Sequence, residues 1–207
     1  MNQSDAKKIT TFYSDLLKKH GDHFKAGDYG SVASQLNRFN VLLAFGKFEG
    51  KSVLDVGCGK GDFYGFLKKQ GLHVDYTGIE IAPDVAALAQ KKYPDAHIII
   101  DNFETHAFDR QYDIVITSGT FDFKVSDHAT YLQKSITKMY ELAIQGVTFN
   151  LTSIYLDKGY ENDYTYYAQP EEIFRYCKKL CRFVTLRHDY APNDFTMYMY
   201  KTPEFRY

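Results

Sequence analysis

The 207-residue chain has no tryptophan, only three cysteines and five prolines, and no apolar run near the roughly 20 residues of a membrane span. Each shortage removes a class of protein. Cys58, Cys177 and Cys181 are an odd, sparse set and make no disulfide framework. Cys177 and Cys181 stand four apart, which places them on one helix face as small buried thiols. No cluster of further ligands accompanies them, so no metal site is expected. The opening MNQSDAKKITTFY is polar and has no apolar signal core. A reduced, cytoplasmic setting away from membranes is the resulting expectation. Net charge is scarce as well, at −1. A chain that held a phosphate backbone by charge alone would be basic, so no nucleic-acid partner is expected.

What is present suits a soluble globular chain: 44% hydrophobic and 25% charged residues, long enough for one domain with a sizeable core. Eighteen tyrosines and sixteen phenylalanines supply rings for pockets as well as for the interior. Two helices are expected first. Ile9, Phe12, Tyr13 and Leu16 follow helical spacing, as do Val32, Leu36, Phe39 and Leu43, with Ser31 as N-cap and Gly46 as stop. The Gly- and Asp-rich GDHFKAGDYG lies between them as a loop.

From Lys51 onward strands and helices alternate. Strands are expected at 53–56, 74–79, 97–100, 113–117, 147–151, 183–188 and 195–200. Helices fill the gaps at 62–70, 83–92, 129–142 and 170–180. Such alternation implies a mostly parallel sheet covered on both faces. Only DYAPND separates the last two strands, a hairpin signal that makes the final strand antiparallel. The expected organisation is a single domain over 1–207, with a helical cap at 1–48 and an α/β core at 49–207.

The most informative stretch is Val53-Leu54-Asp55-Val56-Gly57-Cys58-Gly59-Lys60-Gly61. An apolar strand runs into three glycines at alternating positions, where a ligand can lie against the backbone. A dinucleotide site expects G-x-G-x-x-G, with its third glycine at position 62. Position 62 is Asp, whose carboxylate at a helix N-terminus opposes a pyrophosphate. That makes a nicotinamide oxidoreductase a distant reading. Asp55 adds negative charge and suits a cationic group. Glu80, at the end of the second strand and 23 positions past Gly57, can accept both hydroxyls of a ribose. Asp101 ends the third strand and can accept an exocyclic adenine amine, with Phe103 against the ring. Ser118 and Gly119 end the fourth strand beside the first.

These pieces, in this order, resemble the class I S-adenosylmethionine-dependent methyltransferases over about residues 50–155. The resemblance implies a Rossmann-like α/β fold with a seven-stranded, mostly parallel sheet of order 3-2-1-4-5-7-6, its last strand reversed. It implies S-adenosyl-L-methionine as cofactor and a methyltransferase activity. Cofactor contacts are then expected from Asp55, Gly57, Cys58 and Gly59 in the glycine loop. Glu80 and Ile81 follow from the second strand end, Asp101, Asn102 and Phe103 from the third, and Ser118 from the fourth. Arg38 is expected to reach the methionine carboxylate from the N-terminal helices. No catalytic residue is assigned, because a sulfonium donor is already activated and positioning supplies much of the rate.

The acceptor is open. The Asn/Asp-Pro-Pro-aromatic sequence of amino-adenine enzymes is absent after the fourth strand, where Ser118-Gly119-Thr120-Phe121-Asp122-Phe123 stands, and so is the Pro-Cys pair of cytosine-C5 enzymes. The expected partner is a small molecule. Its site is sought at 118–123 and 150–168, where Tyr160, Tyr164, Tyr166 and Tyr167 flank Glu161 and Asp163. The alternatives are a protein or nucleic-acid acceptor within a complex, and a non-catalytic cofactor-binding subunit.

Overall fold

A computed structural model describes residues 1–159 and 161–203. The chain runs α1 (Gln3–His20), a short 3₁₀ turn (Phe24–Gly27) and α2 (Val32–Leu43), and then alternates. β1 (Ser52–Val56), α3 (Asp62–Lys69), β2 (Asp75–Glu80), α4 (Pro83–Lys92), β3 (His97–Ile100) and β4 (Tyr112–Thr117) form the first half. α5 (His128–Leu142), β5 (Ala143–Thr152), α6 (Pro170–Leu180), β6 (Phe183–Arg187) and β7 (Asp194–Tyr200) complete it. The seven strands lie in the order 3-2-1-4-5-7-6. β1 to β5 pair in parallel, while β7 runs antiparallel to both β5 and β6. The expected fold class and strand order are therefore observed, and this is the Rossmann-like arrangement.

The central strands read as apolar runs because both faces are covered. Val53, Leu54 and Val56 of β1 are fully buried, as are Ile114, Val115 and Ile116 of β4. One core layer joins Leu54, Val56, Val115 and Phe149 to α1, α5 and α6. The other joins Val53, Ile114 and Ile116 to α2 and α3 through Phe39, Leu42, Phe63 and Phe66. Pro83 and Pro170 stand in the first turns of α4 and α6, where a missing N–H costs nothing. Cys177 and Cys181 are buried in the first layer.

Two expectations change at α2. Ser31 caps it, accepting from the Ser34 amide at 3.0 Å. Only part of the face that the apolar spacing marked, Phe39 and Leu43, packs inward, however. Val32 and Leu36 are 51% and 41% exposed, while Gln35, Phe39, Val41 and Leu42 are buried. The helix is turned by Phe39 and Leu42 packing on α3, and by Gln35, which donates to the α3 carboxylate Asp62 at 2.9 Å. The Gly- and Asp-rich loop also holds the unexpected 3₁₀ turn, closed by Asp28 in the left-handed region at φ 59°.

α1 reaches over the carboxyl edge of the sheet. Asp5, 3% exposed, accepts from the Ser126 amide at 3.2 Å and from the Ser126 hydroxyl at 3.0 Å. Ser14 donates to Asp84 of α4 at 2.7 Å. Asp5→Ala removes two charge-assisted bonds and is expected to cost about 1.5–3 kcal/mol. Urea unfolding measures that cost, and limited proteolysis should show cleavage moving into α1. An unchanged midpoint would mean that Ile9 and its apolar neighbours hold the helix alone.

Candidate functional site

At the carboxyl ends of β1, β2 and β4 the strands open into a cavity of about 1010 Å³. Open α/β sheets place ligands at this edge. The glycine loop forms its floor. The Gly57 and Cys58 amides donate to the Ile79 carbonyl at 2.8 and 3.1 Å, folding the loop against β2. Gly57 has φ 67°, and a Cβ there would stand 2.2 Å from Thr120 Oγ1. Thr120 is held in that place by its bond to the Val56 carbonyl at 2.9 Å. Only glycine fits, by conformation and by space alike.

Glu80 is 7% exposed, and both its oxygens are engaged. Oε2 accepts from the Gly59 amide at 3.0 Å and Oε1 from the Ala82 amide at 2.8 Å. Burial pushes its carboxyl up, against the pull of those amides. Asp55 is 3% exposed and accepts from the Tyr76 hydroxyl at 2.7 Å. Burial pushes it up to about 7; the Tyr76 bond opposes the shift, and the Glu80 and Asp62 charges add to it. Asp55 and Glu80 are thus two buried carboxylates in one cavity, held by the neutral donors Tyr76, Gly59 and Ala82. A ligand bringing positive charge and hydroxyl donors answers both demands.

Asp62 differs from its sequence reading. It is not a lone charge at the start of α3: Lys60 binds it closely, Lys92 at 3.0 Å and Gln35 at 2.9 Å. Burial works against ionisation, yet the two lysines hold its carboxyl below the usual range. Its repulsion of a phosphate is therefore largely neutralised. The case against a pyrophosphate passes to Asp55 and Glu80.

Ten of the eleven expected contacts line this cavity: Asp55, Gly57, Cys58 and Gly59, with Glu80, Ile81, Asp101, Asn102, Phe103 and Ser118. Asp101 is half exposed and is bonded to His106 Nδ1 at 2.9 Å and to the Asn102 amide at 2.7 Å. The His106 bond, then that amide, hold its carboxyl low. Phe103 is 9% exposed. Lys138 ties down its loop by donating to the carbonyls of Phe103, Glu104 and His106 at 2.6, 3.1 and 2.7 Å. Ser118 Oγ shares a bond with the Tyr29 hydroxyl at 3.0 Å and accepts from Asn150 at 3.4 Å.

Arg38 is the exception. Its guanidinium is taken by Asp194 at 2.9 and 2.6 Å and touches Asp122 at 3.4 Å, so it faces a second cavity instead. Asp194 and Asp122 fix it there. Spacing also gave no notice of Ile9, Tyr13, Gly27 and Tyr29, which roof the first cavity from the N-terminal segment. Ile9 and Tyr13 read as ordinary apolar spacing. A tyrosine flanked by Asp28 and Gly30 in a polar loop was the one available sign of Tyr29.

The second cavity, about 1440 Å³, shares Tyr13, Gly27, Tyr29 and Gly119 with the first. Its far wall is built from the two segments singled out in the sequence. The Tyr166 amide donates to the Asp122 carbonyl and the Lys124 amide to the Tyr164 carbonyl, both at 2.7 Å. Tyr164 and Tyr167 line the cavity, but Tyr166 turns inward and stacks on His128 at 3.7 Å. Glu161 is spent on the Gly159 amide at 2.8 Å, and Asp163 is not on the wall. The wall carboxylates are Asp28 and Asp122 instead. Tyr160 lies outside the described residues.

Among the described residues there is no group of three or more side chains fit to hold a metal ion. No helix of the described residues is long and apolar enough to cross a membrane.

Residues 53–142 match a family described as a methyltransferase domain. A protein of Mycobacterium tuberculosis named as a methyltransferase is 28% identical over 155 residues, 72% of this chain and 93% of that one. The ubiquinone biosynthesis O-methyltransferase of Hydrogenovibrio crunogenus is 35% identical over 101 residues, 44% of this chain and 40% of its own length. The chain thus spans less than half of this second relative. The magnesium protoporphyrin IX methyltransferase of Synechocystis, solved with S-adenosylhomocysteine bound, has the same fold. It superposes with a TM-score of 0.67 over 96% of this chain and 100% of its own, at 14% identity.

The Asp55 carboxyl generates a test that needs no ligand. Its folded value, about 7, lies above the ordinary 3.8. A group raised on folding lends stability fully present below the unfolded value and lost as pH rises through the folded one. The melting temperature of the wild type, relative to Asp55→Asn, should therefore fall between about pH 4 and pH 8. A difference that stays flat across that window would show the carboxyl ionising as it does in water.

Proposed function

We propose that the chain is a class I S-adenosylmethionine-dependent methyltransferase and that it transfers a methyl group to a small-molecule acceptor held in the second cavity. The observation that carries this reading is the pair of cavities sharing Tyr13, Gly27, Tyr29 and Gly119 as a common wall. A reacting methyl group needs such a doorway between donor and acceptor. The rings and carboxylates on the wall of the second cavity, Tyr29, Tyr164, Asp28 and Asp122, suit a small acceptor. Relatives named for ubiquinone biosynthesis and for magnesium protoporphyrin IX support the same class.

The residues of the first cavity fit the cofactor. Asp55 and Glu80 are buried carboxylates awaiting positive charge and hydroxyl donors, and the glycine floor leaves room for close approach. When bound, S-adenosylmethionine supplies a methyl group on a positively charged sulfur, ready for displacement. Glu80 would hold the ribose hydroxyls, already oriented by the Gly59 and Ala82 amides. Asp101, Asn102 and Phe103 would hold the adenine. Asp55 would balance positive charge near the glycine loop. Tyr13 and Tyr29 would exclude water from the doorway, with Ser118, itself accepting from Asn150, fixing the Tyr29 hydroxyl.

Calorimetry with S-adenosylhomocysteine tests this assignment. Saturable one-to-one binding is expected. Glu80→Ala should weaken it about 10- to 100-fold, the worth of charge-assisted hydrogen bonds. Asp101→Ala should cost about tenfold, because that carboxylate is half exposed and shared with His106. Gly57→Ala should abolish binding, since its Cβ collides with Thr120. Unchanged affinity in Glu80→Ala and Asp101→Ala would overturn the site assignment. A cofactor labelled in its methyl group, incubated with a metabolite extract, should label a small molecule; label found only in macromolecules would refute the acceptor class.

A further inference from the structure

Resting on the methyl-transfer reading, we infer that the acceptor is a small cationic amine, and that Asp122 takes the proton its nitrogen must shed before attack. The argument starts from charge. Arg38 commits Nε and Nη2 to Asp194 at 2.9 and 2.6 Å, so its remaining contact with Asp122 is long, at 3.4 Å. The side chains of Arg38, Asp122 and Asp194 are 15%, 16% and 5% exposed. Two carboxylates share one guanidinium, and the cluster keeps one uncompensated negative charge. Asp122 carries it, with the Thr152 amide on its other oxygen at 2.8 Å and the Thr152 side chain as a further hydrogen-bond partner.

Position matters as much as charge. Gly119 lines both cavities. A Cβ on Gly119 would stand 3.2 Å from Arg38 Nη1 and 3.5 Å from Asp122 Oδ2, so the carboxylate lies at the doorway itself. Asp28 adds a second carboxylate to the wall, which Tyr29 and Tyr164 also line. Arg38 already lies 5.6 Å over Tyr29. Lys25, the lysine of that wall, is exposed. A neutral or anionic acceptor leaves the buried charge unmatched, whereas an ammonium group supplies the missing partner.

The step balances. The ammonium form gives one proton to Asp122 Oδ2, and the freed nitrogen lone pair forms the new N–C bond. The C–S bond breaks with its electron pair left on sulfur, and the proton on Asp122 passes to solvent. Burial raises the Asp122 carboxyl to about 6, and the Asp194 charge adds to this against the pull of Arg38 and Thr152. The groups that face it are Arg38 from α2, Asp194 and Tyr190 at β7, Tyr13 from α1, and Thr152 from β5.

Three probes sharing one ring separate the outcomes: tyramine, 4-ethylphenol and 4-hydroxyphenylacetate, titrated into full-length protein saturated with S-adenosylhomocysteine. Tyramine should bind at least about tenfold tighter than the neutral and anionic probes. Its affinity should rise as pH rises through about 6, where Asp122 ionises. Asp122→Asn should erase both the preference and the pH step while keeping S-adenosylhomocysteine affinity, which reports an intact fold. Equal binding of the three probes, tighter binding of the anion, no binding of any at millimolar concentration, or a preference that survives in Asp122→Asn would each overturn the inference and leave the methyl-transfer reading standing. Failure of S-adenosylhomocysteine to bind the wild type would instead overturn both.

Discussion

Everything in this protein turns on keeping two carboxylates out of water at the open edge of a parallel sheet. Asp55 and Glu80 stand near the ends of adjacent strands, and the hydrogen bonds they accept come from neutral donors. Such burial is costly unless something compensates. The protein supplies part of the compensation as neutral donors: the Tyr76 hydroxyl, and the Gly59 and Ala82 amides. The rest is left to a ligand. The glycine loop serves this balance, since its fold against Ile79 is what aims the Gly59 amide at Glu80.

The sheet was legible because its signals are local. Apolar runs bounded by glycine and charge located all seven strands, and the short DYAPND connection disclosed the reversed one. The grouping of ten of the expected contacts in the first cavity was legible for the same reason: the cavity floor comes from residues at strand ends, whose position follows from the strand itself. Arg38 was misplaced because its position is decided by Asp122 and Asp194, at separations of 84 and 156 residues. No spacing rule reports such a pairing. Val32 and Leu36 misled for a related reason, as the Gln35–Asp62 bond helps set how α2 faces the sheet.

The second cavity was only half legible. Residues 118–123 and 150–168 do contribute to its wall, yet the carboxylates on that wall are Asp28 and Asp122 and not Glu161 and Asp163. Strand-like pairing between Phe123 and Thr165 decides which of the neighbouring side chains turn toward the cavity. That pairing is tertiary, and the tyrosine-rich composition conveyed the chemistry of the wall without its geometry.

The wall shared by the two cavities is drawn largely from the first thirty residues, at Tyr13, Gly27 and Tyr29. Change in this stretch alters the grip on donor and acceptor together, while the seven strands stay untouched. The two cavities are thereby coupled through residues that no strand carries, so the sheet can keep its register while the wall between them is reshaped.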